Sequence, residues 1–176
     1  MKIRALSPVE THEAELVFAG GLDLTEVRVL ENASWPILIA RVAARLKHRP
    51  PPLANAVTLG TTIYFSRTLS ITLEDMVSGD SSDMAWLVHE LVHVWQYRHV
   101  SWGYLSRAVE AFLRLGPLVY DYGGATGLIT ADRQRKRLLD FNPEQQADIA
   151  RDYYLWLKAN AEVRPWERFV AELRSE

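Results

Sequence analysis

The chain has 176 residues, 48% of them hydrophobic, which is the size of one ordinary domain with enough apolar surface for a core. Its 20 Lys/Arg and 22 Asp/Glu leave a formal charge of −2, a balance that offers no electrostatic case for nucleic acid or an acidic membrane surface as partner. Cysteine is absent, so disulfides, thiolate metal ligands and a Cys nucleophile are excluded together, and any metal site must be built from His and carboxylates.

In chain order, Lys2 and Arg4 are not followed by the apolar stretch of a secretory signal, so the expected compartment at synthesis is the cytosol; export by a route that reads no signal peptide stays open. Pro8 and the apolar positions Val9, Ala14, Leu16 and Val17 predict a short helix over 8–18, ended by Gly20-Gly21. A short strand is expected over 26–30. Pro36 opens an apolar stretch to Leu46, with Arg41 and Arg45 on one side, which Pro50-Pro51-Pro52 stops. The Val, Thr, Ile, Tyr and Phe of 56–72 read as one or two strands of a small sheet.

Turn residues over 78–83 supply N-caps for an amphipathic helix over 84–98, with Leu87, Val88, Leu91, Val92 and Trp95 on its apolar side. A further helix is expected over 104–115, ended by Gly116-Pro117, and then a loop over 120–130 containing Gly123, Gly124 and Gly127. That glycine segment lacks the frame of a phosphate loop and reads as a flexible turn over the active-site cleft. A short basic helix over 132–139, a long helix over 143–159 and a terminal one over 165–175 complete the reading. The expectation is one domain, residues 1–176, α+β and mainly helical, with its small β region before the motif-bearing helix. Charges such as Arg41, Arg45, Glu90 and Arg98 interrupt every apolar window, so no membrane insertion is expected.

The helix over 84–98 carries His89-Glu90-Leu91-Val92-His93, an H-E-x-x-H pattern that chance produces about once in a hundred chains of this composition. Residues four apart stack on one helix face, so both imidazoles can reach one metal ion. Nitrogen and oxygen donors without sulfur suit one Zn²⁺ with a position open to water, and Glu90 beside it suits a general base. The competing account is two unrelated histidines satisfied by ordinary hydrogen bonds.

Glu144-Gln145-Gln146-Ala147-Asp148 resembles the E-x-x-x-D of gluzincin-type zinc peptidases, in which a second helix supplies a Glu ligand and an Asp that orients a ligand histidine. Glu144 would be the third ligand, Asp148 would take the far ring N–H of His89 or His93, and Ala147 would let the two helices approach. Against this stand a first-turn carboxylate that complements the helix dipole and an Asp148 that is merely solvated. Tyr97, one turn past His93, borders the pocket or simply packs. His99, Tyr120, Tyr122 and Arg151 are candidate donors to an oxyanion, with a surface salt bridge as the plainer account of Arg151. Trp86, Trp95, Trp102, Trp156 and Trp166 read as core or rim aromatics.

The run Ala56 to Phe65 followed by Trp86 to Gln96, with Tyr120-Asp121-Tyr122 and Phe141 to Asp148 behind it, resembles the short zincin-like domain of bacterial contractile injection systems. It is similar to the domain called the eCIS core and to the small Vgr-related proteins encoded near type VI secretion spike genes. The resemblance covers about residues 50–155 and implies a compact gluzincin-type minidomain, a bacterial origin and a link to secretion loci. The glycine that metzincins need downstream of the motif is missing, and His12, His48 and His99 fit no third-ligand spacing. The implied activity is zinc-dependent hydrolysis of amide bonds in a peptide or protein, with spike or co-encoded proteins as partners, as a processing enzyme or a delivered effector. The alternatives are a zinc-binding adaptor of the injection apparatus with little or no turnover and a domain whose zinc serves folding alone.

Overall fold

Ser7 starts the first helix: its hydroxyl accepts from the Glu10 amide while the Glu10 carboxylate takes the Ser7 amide, a capping box with Pro8 in the first turn. In the computed structural model, which describes residues 3–46, 50–100 and 119–175, this helix is α1, Pro8–Phe18, closed by Ala19 in the left-handed region. A two-residue strand β1 (Ile3–Arg4) precedes it. A 3-10 turn (Leu24–Glu26) leads into β2 (Arg28–Leu30), and α2 (Ser34–Leu46) follows. The antiparallel pair β3 (Ala56–Leu59) and β4 (Thr62–Phe65) turns through Gly60-Thr61, where Gly60 takes the positive φ of 63° that a two-residue hairpin demands.

The sheet order is β1-β2-β4-β3, with β1 antiparallel to β2 and β2 parallel to β4. Parallel pairing needs a crossover, which α2 supplies, and among the described residues β3 is an edge strand. After the short α3 (Leu73–Ser78) comes α4 (Ser82–Val100), which carries the H-E-x-x-H residues. The remaining helices are α5 (Gly124–Arg133), α6 (Pro143–Lys158) and α7 (Arg164–Val170). The chain is therefore α+β and mainly helical. Among the described residues, no helix is long and apolar enough to cross a membrane.

Helix α4 buries its expected apolar side and its polar stripe as well. Leu87, Val88, Leu91, Val92 and Trp95 are buried as anticipated, but so are His89, Glu90, His93 and Gln96. The helix runs between the sheet on one side and α1 and α6 on the other, so its polar stripe faces protein instead of solvent. The α4 and α6 pair forms the most extensive contact between elements, across the fully buried Ala147 and Ala150. Small side chains there let the backbones come close.

Two other expectations are corrected. The glycine-rich segment expected as a loop over 120–130 forms α5 from Gly124 onward: Gly123 is its N-cap at φ 82°, and a Cβ on Gly127 would lie 2.1 Å from the Tyr122 carbonyl. These glycines serve a left-handed cap and a close backbone approach, two uses of glycine other than looseness. The short basic helix expected over 132–139 is absent. Helix α5 ends at Arg133, Arg135 turns at φ 58°, and a 3-10 turn (Leu138–Asp140) leads into α6. The terminal helix is shorter than expected and passes into a 3-10 turn (Ala171–Arg174). The helix expected over 104–115, its Gly116-Pro117 end, Trp102 and His48 lie outside the described residues.

Candidate metal centre

Asn142 starts α6 by the same device that starts α1. Its side chain accepts from the Gln145 amide and Gln145 returns the bond, with Pro143 in the first turn. The cap fixes the first turn, and Glu144 in it points at α4. Its Oε2 lies 3.4 Å from His89 Nε2 and its Oε1 lies 3.7 Å from His93 Nε2. One ligating atom from each of the three residues falls within 4.8 Å of the others. Donors about 2 Å from a tetrahedral ion stand about 3.3 Å apart, so His89, His93 and Glu144 can hold a metal ion.

The hydrogen bonds behind the rings decide which nitrogens face that point. Gln96 Nε2 meets the Pro143 carbonyl at 2.9 Å, and a carbonyl only accepts, so the amide must present its oxygen to His93 Nδ1 at 2.8 Å. Nδ1 of His93 therefore carries the proton and its Nε2 lone pair faces Glu144. For His89 the partner is Asp148 Oδ1, 2.9 Å from Nδ1, and the same oxygen accepts from Arg151 Nη1 at 2.5 Å. Two lone pairs and a carboxylate thus converge on one locus.

For the protein chain alone, burial works against charge on His89, but its hydrogen bonds to Asp148 and Glu144 and the nearby Glu90 and Glu144 carboxylates outweigh it and raise its pKa to about 10. Burial also opposes charge on His93, and Glu144 again carries the net shift upward. The Glu144 carboxyl, which burial by itself would raise, is held well below the usual carboxylate range by the two rings. Such a cluster binds cations or protons at the same atoms.

Glu90 is buried, and its Oε2 accepts from Thr58 Oγ1 at 2.7 Å. Thr58 lies on the edge strand β3, so the sheet holds one oxygen of this carboxylate. Of the candidate oxyanion donors, Tyr120 has its ring beside the triad, with its centroid 6.5 Å from that of His89. The loop bearing it is pinned on both sides, because Asn142 Nδ2 donates to the Val119 carbonyl and Gln145 Nε2 to the Asp121 carbonyl. Burial, then the Glu144, Asp148 and Glu90 carboxylates, push the Tyr120 phenol up, so it stays a protonated donor.

The remaining candidates are engaged elsewhere. Tyr97 lies against the β3-β4 turn, 3.8 Å from where a Cβ on Gly60 would sit. His99 stacks on Trp95 and its Nδ1 lies 2.9 Å from that residue's carbonyl. The Tyr122 hydroxyl donates to Asp152, and Arg151 joins Asp148 to Asp152. Trp86 meets Phe65 edge-on, Trp95 and Trp166 are buried, and Trp156 is half exposed beside Trp166. Sequence reasoning missed Gln96 and Thr58. The first sits three residues past His93, a spacing that could have flagged it; the second carries no local signal.

No family model matches the chain, and no curated protein or solved structure is significantly similar to it.

Proposed function

We propose that the chain is a zinc-dependent hydrolase of amide bonds, a compact gluzincin-type zincin acting on a peptide or protein. The observation that carries this reading is the convergence of His89 Nε2, His93 Nε2 and Glu144 beside the buried carboxylate of Glu90. The donor set fits zinc, since both rings keep Nδ1–H bonded to an acceptor and offer Nε2, and no thiolate is present. Zinc held by these residues supplies a Lewis acid that polarises the scissile carbonyl and lowers the pKa of water.

The protein's own groups do the rest. Glu90 takes the proton of the attacking water and returns it to the leaving amine nitrogen. Thr58 fixes Oε2 of that carboxylate, so the proton is handled at Oε1. Tyr120 donates its hydroxyl to the oxyanion that forms as the carbonyl is attacked. The resemblance of the motif region adds a bacterial injection-system setting to the proposal, as a processing enzyme or a delivered effector.

Metal analysis of protein purified without chelators should find one zinc per chain in both wild type and Glu90→Gln, with cleavage of a peptide library or of co-encoded proteins lost in the variant. Iron in place of zinc refutes the zinc assignment, and no metal at all refutes the centre. Zinc in both forms with no cleavage by either, and equal retention of a spike protein, favours the adaptor.

A further inference from the structure

A line of polar side chains runs away from His89 that the hydrolytic steps do not use. Asp148 Oδ1 receives both His89 Nδ1 and Arg151 Nη1. The other face of the Arg151 guanidinium is occupied too, with Nε at 3.0 Å and Nη2 at 2.8 Å from Asp152 Oδ1. Asp152 Oδ2 accepts from the Tyr122 hydroxyl at 2.5 Å, and Tyr122 in turn accepts from Trp166 Nε1 at 2.9 Å. Asp148, Arg151 and Asp152 share one face of α6, as positions i, i+3 and i+4 must, while Tyr122 leads into α5 and Trp166 comes from α7.

A pair of this kind on the surface stabilises little. Here one partner is a carboxylate only 3% exposed, whose torsion is otherwise broad and roughly two-fold. Arg151 removes that freedom, because its planar fork is set from behind by Asp152 and delivers one N–H to the oxygen that His89 uses. Once Oδ1 is fixed, so is the ring plane of His89, and with it the direction of the Nε2 lone pair.

We infer that Arg151 is a positioning residue of the metal centre, acting through Asp148 on His89, with Asp152 holding Arg151 in place. This rests on the zinc reading above. It replaces both earlier accounts of Arg151, the oxyanion donor and the surface ion pair.

The test uses the full chain, stripped of metal, with the zinc dissociation constant read by competition against a chromophoric chelator. Arg151→Gln should weaken zinc binding about 10–100-fold, the range that loss of an outer partner of a ligand produces. Arg151→Lys, which cannot serve both carboxylates, should recover only part of it. In an Asp148→Ala background Arg151→Gln should cost nothing more, because the acceptor that links it to His89 is gone. Asp152→Asn should weaken binding in the same direction, which keeps the inference testable if Arg151→Gln does not fold. An unchanged zinc constant with a lowered melting temperature, or a loss that persists in the Asp148→Ala background, overturns the inference. If wild type binds no zinc, the zinc reading fails, and Arg151 is judged on the chain alone by ¹⁵N-histidine NMR. A His89 Nδ1–H resonance that shifts in Arg151→Gln and not in the remote Arg168→Gln supports the inference, and an unmoved resonance refutes it.

Discussion

At Gln96 one amide serves three partners: its oxygen faces His93, and its nitrogen reaches the Pro143 carbonyl and Gln146 Oε1, both at 2.9 Å. Gln96→Leu removes the acceptor at the buried His93 ring N–H and the donor to the Pro143 carbonyl and Gln146, so a loss of about 1–3 kcal/mol in unfolding free energy is expected by denaturant titration, together with weaker zinc retention. Retention of both at wild-type levels would remove Gln96 from the site. Tyr120 makes the opposite prediction. Tyr120→Phe should keep the fold and one zinc while kcat falls by about 10²-fold, the usual cost of losing an oxyanion donor. Unchanged kcat would assign the oxyanion to another group.

Helix α4 shows how much of an element its own sequence makes legible. Its span follows from the turn residues before it and the apolar run within it, and the structure extends it by two residues at each end. Its polar face, which carries His89 and His93, is covered because α6 lies across it. Helix α5 was lost for a related reason: glycines ordinarily signal a turn, and only the approach of Gly127 to the Tyr122 carbonyl explains their use inside a helix. Gly127→Ala must push that backbone away, with an expected destabilisation of about 1–3 kcal/mol in a denaturant titration. A neutral substitution would mean that α5 does not rest on the Tyr122 segment.

For the molecule as a whole, the metal centre couples folding to pH. The folded-state pKa of His89, about 10 against an ordinary 6.5, lies above its unfolded value. The stability it contributes to metal-stripped protein is therefore present below about pH 6.5 and lost as pH rises toward about 10. Zinc requires the same nitrogens without their second proton, so its stabilisation should grow over that interval. Melting temperatures of stripped protein should fall from pH 6.5 to 9 while the increment produced by excess zinc increases. A pH-independent increment would show that His89 does not exchange a proton for the metal.

The sequence by itself determined the parts whose spacing is local. Two histidines four residues apart on a helix, a glutamate between them, and Glu144 and Asp148 four apart behind a proline are geometry that any α-helix imposes, and the structure brings those residues together. The capping boxes at Ser7 and Asn142 and the two strands around Gly60 follow from the same short-range chemistry. What only the tertiary structure decided lies between elements. Thr58 reaches Glu90 across 32 positions and Asp148 reaches His89 across 59, so which of two rings Asp148 serves, and that Gln96 serves the other, depends on how α4 and α6 cross. Of the four candidate oxyanion donors, Tyr120 is held near His89 by carbonyls pinned to the start of α6, and Arg151 is engaged between Asp148 and Asp152. Periodicity reports the face a residue occupies on its own helix, and packing alone assigns what that face meets.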